Sequence, residues 1–254
     1  MYFLDCACSS HTGWIRRKNE DNAFFFDCCL EKSHRITEQP IRYRLTTFNS
    51  RLIAVFDGMG GETCGDEASY TAAQYAKDAF GNSRRKQNSE VLLTQLCHDM
   101  NIAVFNRAKE MHISRMGSTA AMMYLKGKRA SVCNLGDSKI FRLRNGHLEQ
   151  ISVDHTDAQE LKKRGINRKP RLTQHLGIDP NEMLIEPYIT SFPVRRKDLY
   201  LLCSDGLTDM LSYNEIQHII ETNTNVMVCV EKLVSHALDN GGKDNITVIC
   251  CKIL

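Results

Sequence analysis

Long apolar stretches are missing from this sequence. No run approaches the roughly 18 residues that a membrane-crossing helix needs, which argues against a helical membrane protein. Proline is scarce, 5 in 254 residues, and no Pro/Gly/Ser-rich linker, internal repeat or low-complexity tract breaks the chain. Nothing marks a boundary, so residues 1–254 are expected to form one domain. An excess of either charge is absent too: 33 basic side chains face 30 acidic ones, for a net charge of +3. That balance argues against nucleic acid or an acidic membrane surface as partner. Two short basic runs, Arg16-Arg17-Lys18 and Arg84-Arg85-Lys86, lack the interleaved aromatics of a nucleic-acid surface, and the second reads as solvated surface. There is no Cys-x-x-Cys pair, and the cysteines are odd in number, 11. A disulfide framework is thereby disfavoured, and most of these residues are expected to be reduced, buried, small apolar groups. The start, MYFLDCACSS, has no basic segment and carries Asp5 within its apolar part. It reads as a strand rather than a signal peptide, and a cytoplasmic protein is expected.

The elements follow from periodicity and punctuation. Strands are expected at Tyr2–Cys8, Ala23–Leu30, Tyr43–Phe48 and Leu52–Phe56. Two helices are expected next, from about Asp66 to Phe80 and from about Glu90 to Met111. Strands at Ser118–Lys126 and Ala130–Leu135 precede a hairpin, Lys139–Arg144 and His147–Ile151, turned at Asn145-Gly146, where a type I′ turn needs positive φ at both positions. A short helix over Asp157–Arg164 ends in a basic turn and Gly165. After a strand at Leu199–Cys203, Ser212 and Glu215 have capping-box spacing ahead of Ile216, Ile219 and Ile220. A second amphipathic helix carries Val230, Leu233, Val234, Ala237 and Leu238. Ile246–Ile253 closes the chain as a strand. Hairpin connections dominate and strict βαβ alternation is absent, so the fold class is α+β, with helices outside antiparallel sheets.

Acidic residues gather at the ends of these strands. Leu52–Phe56 runs into Asp57-Gly58, Ala130–Leu135 into Gly136-Asp137-Ser138, and Leu199–Cys203 into Ser204-Asp205-Gly206. The strands near Ala23 and Ile246 are entered through Glu20-Asp21-Asn22 and Asp244-Asn245. In antiparallel sheets the start of one strand lies beside the end of its neighbour, so Asp21, Asp57, Asp137, Asp205 and Asp244 can share one end of the fold. Carboxylates crowded together repel and take up protons unless a cation neutralises them, and Mg²⁺ or Mn²⁺ suit carboxylate-plus-water sites. Any one Asp-Gly after a strand is ordinarily only a turn. The recurrence at several strand ends is what points to a metal centre.

The stretches GWIRRKNEDN (13–22), AVFDGMGG (54–61), GSTAA (117–121), NLGDSK (134–139), LLCSDGLTD (201–209) and GGKDNITV (241–248) together resemble the metal-dependent serine/threonine protein phosphatases of the type 2C family, most of all its bacterial members. The resemblance implies two antiparallel sheets packed face to face with pairs of helices outside, a four-layer sandwich. It implies hydrolysis of phosphoserine and phosphothreonine on proteins by a hydroxide bridging two divalent cations, Mn²⁺ or Mg²⁺, with a weaker third ion. In that scheme Asp57 bridges the two ions, the Gly58 carbonyl binds one, and Asp205 and Asp244 hold the second. Glu20 and Asp21 contact the ions or their water. Arg16 clamps the substrate phosphoryl group, for which a planar guanidinium fork is well suited. Arg17, one residue out of register with the motif, is expected to point elsewhere. Asp137 and Asp209 match ligands of the third ion. The implied partners are phosphoproteins and a cognate serine/threonine kinase, with no nucleic acid or membrane, and the implied state is a monomer.

Position 59 is Met, where many eukaryotic members carry a histidine, so no general acid is assigned. The segment after Asp154-His155 matches the flap of bacterial members but looks shortened over Ile166–Leu172. Cys29 and Arg35 have the Cys-x5-Arg spacing of cysteine-based phosphatases, but Leu-Glu-Lys-Ser-His between them lacks the glycines of a phosphate-wrapping loop. His98, His112, His155, His175 and His236 show no metal-ligand spacing and are expected to be structural or on the surface. Two other readings stay open at this point: a non-catalytic binding module on the same fold, and a metal-dependent hydrolase of small phosphoesters.

Overall fold

The computed structural model describes residues 2–60, 64–82 and 88–254. Gly61 of the second motif and the Arg84-Arg85-Lys86 run lie outside the described residues. In chain order the elements are β1 (Phe3–His11), β2 (Asp21–Phe25), β3 (Cys28–Cys29), β4 (Ile41–Thr46), β5 (Arg51–Met59), α1 (Gly65–Asn82), α2 (Ser89–Glu110), β6 (Gly117–Ser118), β7 (Ala120–Lys126), β8 (Arg129–Leu135), β9 (Lys139–Arg144), β10 (His147–Gln150), α3 (Ala158–Arg164), β11 (Tyr188–Pro193), β12 (Leu199–Cys203), α4 (Asp205–Thr208), α5 (Tyr213–Thr222), α6 (Val226–Asp239) and β13 (Ile246–Ile253).

The strands form two antiparallel sheets. One runs β10-β9-β12-β13-β1-β4; the other runs β11-β8-β7-β5-β2-β3, with β6 beside β5. Both faces of each sheet are covered, which is why the central strands read as nearly continuous apolar runs. The period-2 alternation of a strand then distributes its side chains between two interiors. Ile53 and Val55 of β5 join Leu4, Met123, Tyr200 and Ile249 between the sheets. Ala54 and Phe56 of the same strand face the other way, against Ala68, Ala72, Leu93 and Met100 of α1 and α2. On the far side, Ala7, Leu201 and Val248 pack under Ile219, Val230 and Leu233 of α5 and α6. The order is therefore helices, sheet, sheet, helices. Adjacent cysteines split in the same way, Cys250 outward and Cys251 inward. Nine of the eleven cysteines are buried, and Cys28 and Cys29 are half-buried.

The helix ends carry the expected chemistry. Ser212 and Glu215 close a reciprocal capping box on α5, and Gly165 caps α3 at φ 65°. The strand expected over Ala23–Leu30 is instead a hairpin. Phe26, at φ 63°, turns the chain between β2 and β3. A left-handed bulky residue costs on the order of 1–3 kcal/mol, and here the ring is buried in the inter-sheet core, edge-on to Tyr43. Ser118–Lys126 likewise divides into β6 and β7 at Thr119. Strand β11 and the single turn α4 have no counterpart among the elements expected from the sequence. No helix among the described residues is long and apolar enough to cross a membrane.

Candidate metal centre

Adjacent strands β2 and β5 pair Asp21 directly opposite Asp57, and directly opposed residues point to the same face of a sheet. Two hydrogen bonds from one residue fix Asp57: Thr119 donates its backbone N–H to the Asp57 carbonyl at 2.8 Å, and its Oγ1 accepts the Asp57 N–H at 3.0 Å. Beyond Asp57 the backbone runs very close to the start of α1. A Cβ on Gly58 would lie 2.0 Å from the Gly65 carbonyl oxygen, and a Cβ on Gly65 would lie 2.8 Å from both Gly58 O and Glu20 Oε1. Only glycine fits either place, and the Gly65 N–H donates to Glu20 Oε1 at 3.2 Å.

The other sheet meets this one through Asn245. Its Nδ2 donates to the carbonyls of Thr12 and Lys18 at 2.8 and 2.9 Å, and its Oδ1 accepts the Glu20 N–H at 2.8 Å. One buried amide thus ties the Arg16–Glu20 loop to the start of β13 and to Asp244. Asp205 opens α4 directly after β12, and the Asp209 N–H closes that turn on the Asp205 carbonyl at 2.8 Å. Asp137 follows β8, where the Gly136 N–H donates to His155 Nδ1 at 3.3 Å.

These segments enclose a cavity of about 880 Å³, lined in part by Arg16, Glu20, Asp57, Gly58, Asp137, Asp205 and Asp244. Asp21 lies beneath, beside Asp57, and Asp209 stands at the edge, next to Asp205. The expected residues are therefore brought together. Arg17 departs from expectation: although one residue off the motif's arginine, it lines the same cavity.

Electrostatics at the cavity are those of crowded anions. Burial, and then Asp21, Asp205, Asp137 and Asp244, hold the Asp57 carboxyl well above the ordinary range. Asp21 is 2% exposed and is pushed up to about 7, chiefly by burial and against the hydrogen bond that Ser204 Oγ donates to its Oδ2 at 2.7 Å. Its Oδ1 is buried and has no partner among the described residues. Burial and Asp205 push Asp137 up to about 6. Two cations pair with these carboxylates: Arg16 Nη2 lies 2.6 Å from Asp244 Oδ2, and Lys169 Nζ lies 2.9 and 2.7 Å from Asp205 Oδ2 and Asp209 Oδ2. The family resemblance gives Arg16 only a substrate phosphoryl group to touch; the structure sets it on a carboxylate assigned to metal. Among the described residues, no three His, Cys, Asp or Glu side chains are drawn around one point. An all-oxygen donor set, an orphaned buried carboxylate oxygen, and a cradle around Gly58 O that a Cβ would fill all fit hard divalent cations.

The rival thiol is elsewhere. Cys29 packs against α1, its Sγ donating to the Ala73 carbonyl at 3.1 Å, and burial pushes it up to about 12. Sequence reasoning assigns no role to Thr119 or Asn245, although both stand inside the family-like motifs, and it does not single out Lys169.

Comparison with known proteins adds independent information. The serine/threonine phosphatase Stp of Listeria monocytogenes is 29% identical over 250 residues, 93% of this chain and 91% of that protein. PstP of Mycobacterium tuberculosis is 29% identical over 266 residues, 99% of this chain but 45% of that protein. A crystal structure of the PstP catalytic domain in complex with two manganese ions superposes with a TM-score of 0.80, at 27% identity and 100% coverage of both chains. The family described as Protein phosphatase 2C matches residues 32–240. That match takes in most of the chain, including Asp57, Asp137 and Asp205, so this protein belongs to the protein phosphatase 2C family.

Proposed function

We propose that this protein removes phosphoryl groups from serine and threonine side chains of other proteins, and that residues 1–254 work as one catalytic domain. The observation that carries the reading is the convergence of Asp21, Asp57, Asp137, Asp205 and Asp244 on one cavity beside Arg16. Asp57, the Gly58 carbonyl, Asp205 and Asp244 hold two divalent cations, Mn²⁺ or Mg²⁺. Glu20 and Asp21 support them from β2, and Asp137 and Asp209 hold a weaker third ion. When bound, such cations lower the pKa of water and offset the charge on phosphoryl oxygens. Hydrolysis breaks the bond between phosphorus and the Ser or Thr oxygen and makes a new one to the oxygen of water. Arg16 orients the phosphoryl group; its ion pair with Asp244 keeps the guanidinium at the cavity edge before substrate arrives. Met59 lines the cavity and has no proton to give, so it contributes no general acid. The substrates are phosphoproteins made by a serine/threonine kinase of the same bacterial cytoplasm, and the enzyme acts as a monomer.

Phosphopeptide hydrolysis with and without Mn²⁺ tests this. Turnover that appears with Mn²⁺ and vanishes with EDTA is expected. Full turnover in chelator-treated protein refutes the metal reading. Hydrolysis of small phosphoesters alone assigns the protein to that class, and no hydrolysis of either leaves the binding-module reading.

A further inference from the structure

The edge of the cavity beside Arg16 is apolar and built to stay in place. Ile15 lines the cavity and is 68% exposed; Trp14, the only tryptophan of the chain, is 65% exposed. Scattered exposed apolar residues are ordinary. Phe48, at 79%, lies in the turn between β4 and β5, whereas Trp14 directly precedes the cavity-lining Ile15 and Arg16. What separates Trp14 is that it is exposed yet held. Its backbone N–H donates to the Gly242 carbonyl at 2.7 Å, its indole Nε1 donates to the Leu238 carbonyl at 3.1 Å, and its ring stands edge-on to His11 at 5.3 Å. Gly242 leaves room for the ring, since a Cβ there would lie 2.9 Å from Trp14 Cδ1. The indole donor is spent on the protein, so what faces solvent is apolar surface. A side chain already fixed loses little entropy when a ligand covers it.

Charge and continuity say what covers it. The same loop continues directly into Arg16, Arg17 and Lys18, all of which line the cavity. A phosphoryl group carries a charge near −2 and is drawn to that basic edge. A peptide chain advances about 3.3–3.6 Å per residue, so with the phosphoryl group at Arg16 the adjoining peptide residues reach Ile15 and then Trp14. Resting on the phosphatase reading above, we propose that Trp14 and Ile15 form a specificity surface that selects phosphopeptides with a bulky apolar residue next to the phosphoserine or phosphothreonine.

The test uses the full-length protein with Mn²⁺ and phosphoserine peptides that differ only in carrying Leu or Gly beside the phosphoserine, on either side. On one of the two sides, kcat/KM is expected to be about tenfold higher for Leu, a ratio equivalent to about 1.4 kcal/mol. Trp14→Ala and Ile15→Ser should each bring that ratio toward one, and Trp14→Phe should retain it. Because the ratio is internal to each variant, a general loss of activity does not mimic the effect. Trp14 also reports binding directly: a non-hydrolysable phosphonate peptide with Leu should shift its emission saturably, and the Gly peptide should do so only at higher concentration. A ratio near one in the parent, or a ratio unchanged in both Trp14→Ala and Ile15→Ser, overturns the proposal. So does an emission shift that grows with protein concentration alone, which assigns the surface to a second copy, or one produced by anionic lipid vesicles alone, which assigns it to a membrane. Absence of turnover with every phosphopeptide refutes the phosphatase reading instead, and the fluorescence titration then decides the surface by itself.

Discussion

Replacing Asp21 by Asn removes one charge from the carboxylate cluster with almost no change of shape, and the consequence has a definite dependence on pH. Asp21 is raised from 3.8 to about 7 in the folded protein, mainly by burial. A raised acid binds its proton more tightly when folded, so its contribution to stability is complete below about pH 4 and is lost as pH rises through about 7. A tenfold difference in proton affinity between the folded and unfolded chain is worth about 1.4 kcal/mol. The stability lost between pH 4.5 and pH 8 therefore amounts to about 3 kcal/mol. Asn cannot ionise. Chelator-treated Asp21→Asn should therefore gain on the parent by about 3 kcal/mol as pH goes from 4.5 to 8, or about 6–12 °C in Tm for a domain of this size. The amide N–H groups that Asn brings find no acceptor and cost about 1–3 kcal/mol; that cost is the same at both pH values and cancels in the comparison. With Mn²⁺ the order should reverse at pH 8, because the parent gains about 2.7 kcal/mol when the ion is at a hundred times its Kd and the variant, with a weaker site, gains less. Thermal melts of both proteins at the two pH values, with EDTA or Mn²⁺, read all of this. A Tm difference in EDTA that stays constant with pH, or that moves against the variant as pH rises, refutes the electrostatic account of the cluster.

Arg16→Ala should lower kcat/KM for a phosphopeptide by about 10²–10³, as for loss of one preorganised donor, while Mn²⁺ affinity in a calorimetric titration is not weakened, since the change frees Asp244 from its ion pair. Lys169→Ala should tighten Mn²⁺ binding about two- to fivefold, the range expected for a solvated ion pair, because its ammonium no longer occupies Asp205 and Asp209; unchanged affinity would show that the pair does not compete with metal. Cys29→Ser should leave kcat within about twofold of the parent, a limit set by treating the change as a mild substitution away from the reacting atoms, and a trapped phosphocysteine would overturn that.

The parts of the fold that were legible were those in which one segment carries its own signal. Asn145-Gly146 fixes a hairpin, Ser212 and Glu215 fix a helix start, and a two-faced apolar strand such as Leu52–Phe56 cannot be anything exposed. The misses have physical reasons. Tyr188–Pro193 ends in proline, which counts against a strand in the middle of a sheet, but β11 is an edge, paired to β8 alone, where a proline is tolerated. Asp205–Thr208 is one turn and has no period to read. Ala23–Leu30 is apolar over most of its length, and only Asp27 marks the turn at Phe26; burial of that ring in the inter-sheet core outweighs the backbone preference.

The candidate site divides along the same line. Carboxylates at strand ends were readable because antiparallel topology brings strand ends together; the register that sets Asp21 opposite Asp57 was not. The cations were not readable in the same way. Arg16 reaches Asp244 across 228 residues and Lys169 reaches Asp205 across 36, and no spacing rule connects such pairs. Thr119 and Asn245 show the same limit more sharply. Each lies in a family-like motif, yet their work is to fix backbone groups of distant segments: Asp57 for the first, and Thr12, Lys18 and Glu20 for the second. Metal-binding chemistry is carried by residue type and so survives in sequence, whereas positioning is carried by geometry. A site of this kind accordingly shows its ligands early and its supports only when folded, and substitutions at Thr119 or Asn245, which also line the cavity, are expected to act through the placement of Asp57 and Asp244.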